Sequence, residues 1–232
     1  MIDRQALKAR AKDMFLRSYW PLVGFFLIAG ALGAGAAGFS SGMSFSLNFD
    51  IKNGIGEVWP MLGRLLKAVA IWSSFVGIVY TIFVGNPATV GAAKLSIKSY
   101  VGEDFGILDI FHGFRFGKYW RNVGAMALYT LFVGIGFMLF FVPGLIMALG
   151  LSQMPYLLAE YPDLSPMDAV RSSWLMMNGR KWELFVLKLS FIGWDILNGL
   201  TFGVLGVFFV NPYVALTNAG YHVALTNAPQ QQ

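Results

Sequence analysis

The sequence lacks cysteine altogether and is poor in charge, with only 12% Asp, Glu, Lys and Arg. The absence of cysteine excludes disulfides, zinc–thiolate sites and a thiol nucleophile. With 56% hydrophobic residues, 16% aromatic residues and a mean hydropathy of +0.61, the 232-residue chain is far from the composition of a soluble domain. The composition therefore predicts an integral membrane protein.

The net charge of +5 comes from basic residues that flank apolar segments. In a soluble protein such a charge would suggest a nucleic-acid partner. At the ends of membrane spans, however, Lys and Arg face anionic headgroups and set the topology. We therefore expect membrane lipids, with anionic headgroups, as partners, and no nucleic acid.

Apolar segments at helical length predict an all-α membrane protein of about six transmembrane helices, arranged as three helical hairpins, each preceded by a cytoplasmic amphipathic helix. The first two spans are expected at about 22–39 and 68–93. Between them lies the extracytoplasmic loop 40–67, where alternating apolar residues before Asn53-Gly54 suggest a small β-ribbon.

The second hairpin is expected within 121–161, a stretch too long for one crossing. Its tip is predicted at Pro143 and Gly144, since proline ends helices and glycine favours turns. The last hairpin starts near Leu184 and has its tip between Gly199 and Gly206.

The distribution of basic residues supports six spans with cytoplasmic N- and C-termini. Of 17 Lys and Arg, 13 fall in segments assigned to the cytoplasmic side, three in the segment assigned to the other side, and Lys188 lies within a span. The positive-inside rule demands such an asymmetry. The alternative of four spans, which merges each hairpin into one helix, would place Arg171 and Arg180 outside.

The amphipathic segment after Tyr161 carries a helix start at Ser165, whose hydroxyl can accept a free N–H. Met167, Val170, Trp174 and Met177 recur at helical spacing and predict its buried face. A similar segment at 107–114 precedes the second hairpin, and 4–17 precedes the first.

A basic-aromatic corner separates each amphipathic helix from the span that follows, and such residues suit the headgroup level of a bilayer. The predicted headgroup anchors are Arg17, Trp20, Lys118, Trp120, Arg180, Lys181 and Trp182. A proline also interrupts the second helix of each hairpin: Pro87, Pro155 and Pro212. We predict one membrane domain, 1–232, with three internal units, 1–99, 100–160 and 161–225, in a pseudo-threefold arrangement. The alternative is chance, because such corners and late prolines are common in membrane proteins.

The opening DRQALKARAK, the run FVPGLIMALGLSQMPYLLAEYPDLSPMDAV, the segment LMMNGRKWELFVLKLSFIGW and the late NPY resemble the bacterial integral membrane proteins of the family domain of unknown function 975. The resemblance covers most of the chain and is strongest from Pro143 to Trp194. It implies a multi-pass protein of the bacterial plasma membrane and brings no assigned reaction, cofactor or functional residues.

One catalytic pattern is present without the structural context that it requires. Gly38-Phe39-Ser40-Ser41-Gly42 fits the nucleophile-elbow pattern, but it follows a glycine-rich membrane helix instead of joining a strand to a helix. Neither His112 nor His222 has ligand partners at metal spacing. We therefore expect no enzyme activity, no cofactor and no metal.

The candidate site is a set of polar residues within the predicted spans. Lys188, Asp195, Asn198 and Asn211 form this set, because a polar residue in a span must face the bundle, water or a partner. Lys188 and Asp195, seven residues apart on nearly the same face of one helix, either line a polar path or snorkel to opposite interfaces. The first reading favours transport or lipid handling. The alternative function is an accessory or scaffold protein that holds another membrane protein or a second copy.

Overall fold

The computed structural model describes residues 3–31, 72, 77–115, 117–201 and 203–227. Within these ranges every regular element is helical and no strand occurs, so the predicted all-helical fold is confirmed there. The predicted loop 40–67 and its β-ribbon lie outside the described residues.

Eleven α-helices lie wholly within the described residues. Their bounds are α1 Arg4–Arg17, α2 Tyr19–Ala31, α3 Asn86–Val101, α4 Ile107–Ile110, α5 Tyr119–Leu139, α6 Phe141–Gly150, α7 Met154–Glu160, α8 Pro166–Met176, α9 Lys181–Leu189, α10 Ile192–Leu200 and α11 Asn211–Thr226. A 3₁₀ segment, Phe111–Phe114, follows α4. Two π-helical segments, π1 Thr81–Gly85 and π2 Gly206–Val210, directly precede α3 and α11.

Two helical segments of the described chain are long and apolar enough to cross a membrane. They are Tyr119–Leu139, which is α5, and Phe141–Glu160, which comprises α6, a short turn and α7. The apolar part of α2, Tyr19–Gly30, is shorter. Length and composition thus support a membrane association of the second hairpin.

The hairpin between α5 and α6 turns at Phe140, and the predicted tip at Pro143 and Gly144 is wrong. Phe140 is extended, with φ −163° and ψ 160°, whereas Pro143 and Gly144 lie in the first turn of α6. Proline is tolerated there because the first N–H groups of a helix have no intrahelical acceptor. Gly144 instead lets the two helices touch, since a Cβ on it would lie 2.5 Å from the ring of Phe137.

The predicted start of α8 is confirmed and its predicted buried face is wrong in part. Ser165 caps the helix by accepting the N–H of Asp168 at 3.2 Å. Ala169, Ser173 and Met177 are buried, whereas Met167 is 58% exposed. Small side chains face the bundle because α8 packs closely on α5, α6 and α7, and Ser173 donates to the carbonyl oxygen of Gly150 at 2.9 Å.

Helices α3 and α11 begin in the same way. Each starts with an Asn-Pro pair directly after a π-helical segment, and Asn86 and Asn211 donate their N–H groups to carbonyl oxygens five residues back. The wider π turn accommodates the proline that follows, which has no N–H. The chain therefore continues as helix through Pro87 and Pro212 and is not interrupted there. Pro155 likewise occupies the first turn of α7.

Helix α3 lies at the centre of the bundle and packs on α5, α7, α11 and the 3₁₀ segment. Glycines permit this close packing: a Cβ on Gly91 would collide with the carbonyl oxygen of Ile110, and one on Gly113 with that of Pro87. The buried core also takes in α1, through Leu7, Ala11 and Phe15. The amphipathic helix α1 thus covers α11 with its apolar face.

At or next to each basic-aromatic corner, one residue contacts the segment that precedes a proline in another predicted unit. The contacts are Phe15 at the end of α1 with Phe209 (ring centroids 5.4 Å apart), Tyr119 with Phe83 (hydroxyl to carbonyl oxygen, 2.8 Å) and Lys181 with Gly150 (Cε 3.2 Å from where a Cβ would stand). The first unit therefore contacts the third, the second contacts the first, and the third contacts the second.

Candidate functional site

The structure places one of the four predicted polar residues in a cavity and the other three elsewhere. Lys188 lines the cavity described below, and it is also exposed at the surface of α9. Asn198 accepts the N–H of Gly206 at 2.6 Å through its Oδ1 and so closes the turn after α10. Asn211 is half-buried at the start of α11, and Asp195 is exposed on α10 without an ion pair to any described residue.

A break between α9 and α10 separates Lys188 from Asp195. Helix α9 ends at Leu189 and α10 begins at Ile192, so the two residues do not share the face of one continuous helix as predicted. At the break, the Lys8 ammonium donates to Ser190 Oγ and lies 4.3 Å from the ring centroid of Phe191. A residue of α1 thus occupies the position between the two helices.

The cavity has a volume of about 100 Å³. It lies where α3, α7 and α11 converge, three helices that each have a proline in their first turn (the proline-headed helices). All three helices contribute to its wall, α3 through Thr89, α7 through Pro155 and Tyr156, and α11 through Asn218. The remaining lining residues are Tyr129, Ser152, Gln153, Leu184 and Lys188. The wall is therefore mixed, with hydroxyl, amide and ammonium groups beside aromatic and aliphatic ones.

Lys188 is the charged residue of this wall. Its ammonium group makes no ion pair and no hydrogen bond with the residues that the structure describes. An ammonium group next to apolar side chains loses part of its hydration, and an anion offsets that loss. The cavity therefore presents an uncompensated positive charge to whatever enters it.

A buried hydrogen-bonded chain leads from the cavity to the protein surface, and the sequence analysis missed it. Gln153 Oε1 lies 3.1 Å from Nδ1 of His222, and Nε2 of His222 lies 3.2 Å from Oε2 of Glu160. The His222 side chain is fully buried and its ring stacks on Tyr156, with centroids 5.3 Å apart. The signal available in the sequence was a single histidine in a helix without charged residues, and spacing in the sequence does not connect it to α7.

Charged contacts tie the amphipathic segments to the helices beside them. The Lys98 ammonium lies 2.9 Å from Asp109, and Lys118 lies 3.0 Å from Asp163. Burial alone would raise the pKa of Asp109, but hydrogen bonds from the Gly106 N–H and from Lys98 outweigh it and lower that pKa below 3.8. Burial lowers the pKa of His112, and the nearby Lys94 adds to the effect.

The predicted anchor tryptophans are all strongly exposed, at 76% for Trp20 and 72% for both Trp120 and Trp182. Exposed indole rings are unusual on a soluble surface and are typical of the membrane interface. Lys181 instead turns inward, with its Nζ 3.7 Å from the ring centroid of Trp174.

No group of three or more His, Asp or Glu side chains within the described ranges is arranged to hold a metal ion.

Residues 121–229 match the family model described as protein of unknown function (DUF975). No curated protein and no solved structure matches the chain. The matched region contains α5 to α11, and with them the cavity's Lys188 and the Gln153–His222–Glu160 chain. The resemblance drawn from the sequence is therefore supported over residues 121–229, where the chain is similar to the family of unknown function DUF975.

Proposed function

We propose that this protein is a non-enzymatic membrane protein that handles lipids, and that its central cavity binds the anionic head group of an amphiphile. The observation that carries the proposal is Lys188, an unpaired ammonium group in the wall of a small, partly polar cavity.

The size of the cavity favours a head group over a whole molecule. A volume of about 100 Å³ corresponds to roughly three water molecules at about 30 Å³ each. A phosphate or carboxylate group fits this space, whereas pockets for complete drug-sized ligands measure about 300 Å³ or more. An apolar tail would have to remain outside, among the lipid chains.

Exposed apolar side chains support the placement in a membrane. Around the α5–α6 turn, Met138 is 91% exposed, Phe140 76% and Phe141 71%. Such a patch in water would drive aggregation, but acyl chains solvate it. The exposed tryptophans at the corners then lie at headgroup level, and we infer six spans in a bacterial plasma membrane with both termini in the cytoplasm.

The cyclic order of corner contacts supports three related units around one centre. A residue at or next to each corner touches the pre-proline segment of another unit, and the contact of Phe15 with the third unit closes the ring. The three proline-headed helices all contribute to the cavity. Transporters built from internal repeats commonly bind substrate at the interface between repeats, which favours the same place here.

The topology is tested with single cysteines, because the native chain has none. Cysteine at Ser172, in α8, should resist an impermeant thiol reagent applied to intact cells, while cysteine at Gly54 should react. Labelling of the Ser172 site from outside would overturn six spans and favour four.

The ligand is tested by native mass spectrometry of gently solubilised protein. The wild type should retain an anionic lipid that Lys188→Met loses. Lys12→Met removes the same charge from an exposed position of α1 and should retain it. Equal retention by the wild type and Lys188→Met would contradict the proposal.

One observation favours the alternative of an accessory or scaffold protein. Helix α10 has no buried residue, and its Gly193 and Gly199 have open space where a Cβ would stand. Small residues on an unpacked helix allow close approach of another membrane helix. In the same mass spectra, a second copy or a protein partner that persists without lipid would favour this alternative.

A further inference from the structure

We propose that His222 and Glu160 form a protonated pair that turns the amide N–H of Gln153 toward the cavity, so that a proton and an oxyanion bind to the protein together. The inference rests on the proposed function and adds that a proton binds together with the anion. His222 and Glu160 are positioning residues here, because Gln153 lines the cavity and they do not.

The hydrogen bonds of Ser152 fix the orientation of the Gln153 amide. Ser152 donates its hydroxyl proton to the carbonyl oxygen of Leu149 at 2.7 Å. It must therefore accept at its 3.2 Å contact with Gln153, which places the amide NH₂ of Gln153 on the Ser152 side. The amide oxygen then faces Nδ1 of His222, and because that oxygen only accepts, Nδ1 carries a proton.

The second ring nitrogen requires one further proton in the pair. Nε2 of His222 faces a carboxylate oxygen of Glu160. If Glu160 is ionised, Nε2 must also carry a proton and the ring is an imidazolium. If the ring is neutral, Glu160 must be protonated and donate to Nε2. In both cases the pair holds one proton more than a neutral imidazole beside a carboxylate.

Loss of that proton reverses the orientation of the Gln153 side-chain amide. A neutral His222 that donates from Nε2 to Glu160 has a lone pair on Nδ1, which requires the NH₂ group of Gln153. The amide oxygen then faces Ser152, next to Lys188 and the cavity, and an oxyanion loses a donor and gains a repelling dipole. The bound proton and the bound oxyanion therefore favour each other, and the coupling is reciprocal.

Other titratable groups lie near the pair or along the cavity. They are Tyr156 on α7, Lys94 on α3 (donating to the carbonyl oxygen of Ala159), Tyr221 on α11 with Arg180 and Glu183 near it, Lys188 on α9 and Tyr129 on α5. Of the described residues, Glu160 is the acid whose oxygen contacts a ring nitrogen of His222. It is partly exposed, so a proton can reach the pair from solvent.

The test is isothermal titration calorimetry of the full-length protein at pH 7 in an uncharged detergent. Sulfate and decanesulfonate are the probes, because neither binds a proton near this pH and any proton taken up belongs to the protein. Repeating each titration in buffers of different ionisation enthalpy gives the number of protons taken up per anion. Tighter binding of decanesulfonate identifies an amphiphile head group, and equal binding identifies a free anion; both fit the oxyanion site.

The titrations are repeated from pH 7 to pH 9. A free protein that already holds the proton takes up none, and where the free protein has lost it we expect the wild type to take up between a few tenths of a proton and one proton per bound anion. His222→Gln should abolish this uptake, and Glu160→Gln should reduce it even if His222→Gln does not fold. Glu183→Gln, a matched loss of an acid on α9, should leave it unchanged. Binding without uptake at every pH in this range, or equal uptake in the folded variants, would overturn this inference and leave the proposed function standing. No binding of either probe would overturn both.

Discussion

In the two helical hairpins that the structure describes, different interactions hold the turn. The α5–α6 hairpin has no polar side chain from Leu131 to Leu151, and its helices meet through Gly136 and Gly144. The turn between α10 and α11 is held by side chains, with Asn198 accepting from Gly206 and Thr201 accepting from the N–H of Leu205 at 3.2 Å. One turn thus depends on packing and the other on hydrogen bonds.

The difference indicates whether each turn suits an apolar or an aqueous environment. A turn without polar side chains gains little from water and suits the boundary between the acyl chains and the headgroups, and Pro143 removes one N–H that would otherwise need an acceptor there. The α10–α11 turn carries the exposed Thr201, and the exposed Asp195 lies in α10 before it, which suits headgroups or water. The two hairpins therefore differ in the depth that their tips prefer.

The largest effect is expected from Gly144→Ala. The new Cβ would lie 2.5 Å from the Phe137 ring and 2.7 Å from the Phe137 backbone nitrogen, which cannot move without the helix. Overpacking of this kind should cost about 3 kcal/mol. Gly134→Ala in the facing helix α5 meets no atom within 4 Å and should be neutral or stabilising. Thermal melts of the purified variants measure the difference; equal melting temperatures would show that the hairpin does not depend on close packing.

Asn198→Ala should have a smaller effect on the other hairpin. It removes the acceptor of the Gly206 N–H and leaves that group unpaired in a half-buried position, at a cost of about 1 kcal/mol. Asn227→Ala, on the exposed residue after α11, is the control and should change nothing measurable. If both variants melt alike, the side-chain closure of this turn is not stabilising.

Acid sensitivity should arise outside the α5–α6 hairpin, which has no titratable residue from Leu131 to Leu151. The lowered pKa of Asp109 stabilises the fold above its ordinary value of 3.8, and this contribution is lost as the pH falls through the lower value of the folded state. Asp109→Asn should therefore flatten the fall in melting temperature below about pH 4.

Asp163→Asn is the matched control for that measurement. The Asp163 side chain is 82% exposed although it lies 3.0 Å from Lys118, and exposed pairs contribute little. A pH profile of Asp109→Asn that is identical to the wild type would show that the Lys98–Asp109 pair does not stabilise the fold.

The smallest energetic effect is expected from cysteine probes at the two tips. Val142→Cys replaces an exposed side chain and should leave stability unchanged, whereas Thr201→Cys also removes the acceptor of the Leu205 N–H and should cost less than about 1 kcal/mol. In lipid vesicles opened to both sides, a water-soluble maleimide should react with the Thr201 site much faster than with the Val142 site. Similar rates would show that both tips lie at the same depth.

Local signals in the sequence predicted the helices and several of their ends. Ser165 caps α8 as expected, and Gly179 adopts a left-handed φ of 72° shortly after it. The position of the α5–α6 turn was not predictable, because Pro143 is equally acceptable in a turn and in the first turn of a helix. Only the contact between Gly136 and Gly144, which is a property of the packed pair, distinguishes the two.

The site was predictable in part for a similar reason. Lys188 could be found because a charge inside an apolar segment is visible in one segment alone. The helix break at Ser190 and Phe191 separates Asp195 from Lys188. Lys8, from a distant part of the chain, contacts both residues of the break. His222 and its partners Gln153 and Glu160 are 62 to 69 residues apart, so their meeting depends on tertiary packing.

The central claim is that Lys188 makes the cavity a site for an oxyanion head group. The direct test is the affinity of decanesulfonate for the wild type, Lys188→Arg and Lys188→Met, measured by titration calorimetry in an uncharged detergent. The account predicts that Lys188→Met binds at least tenfold more weakly, about 1.4 kcal/mol, and that Lys188→Arg stays close to the wild type. Equal affinity of Lys188→Met and the wild type would contradict it.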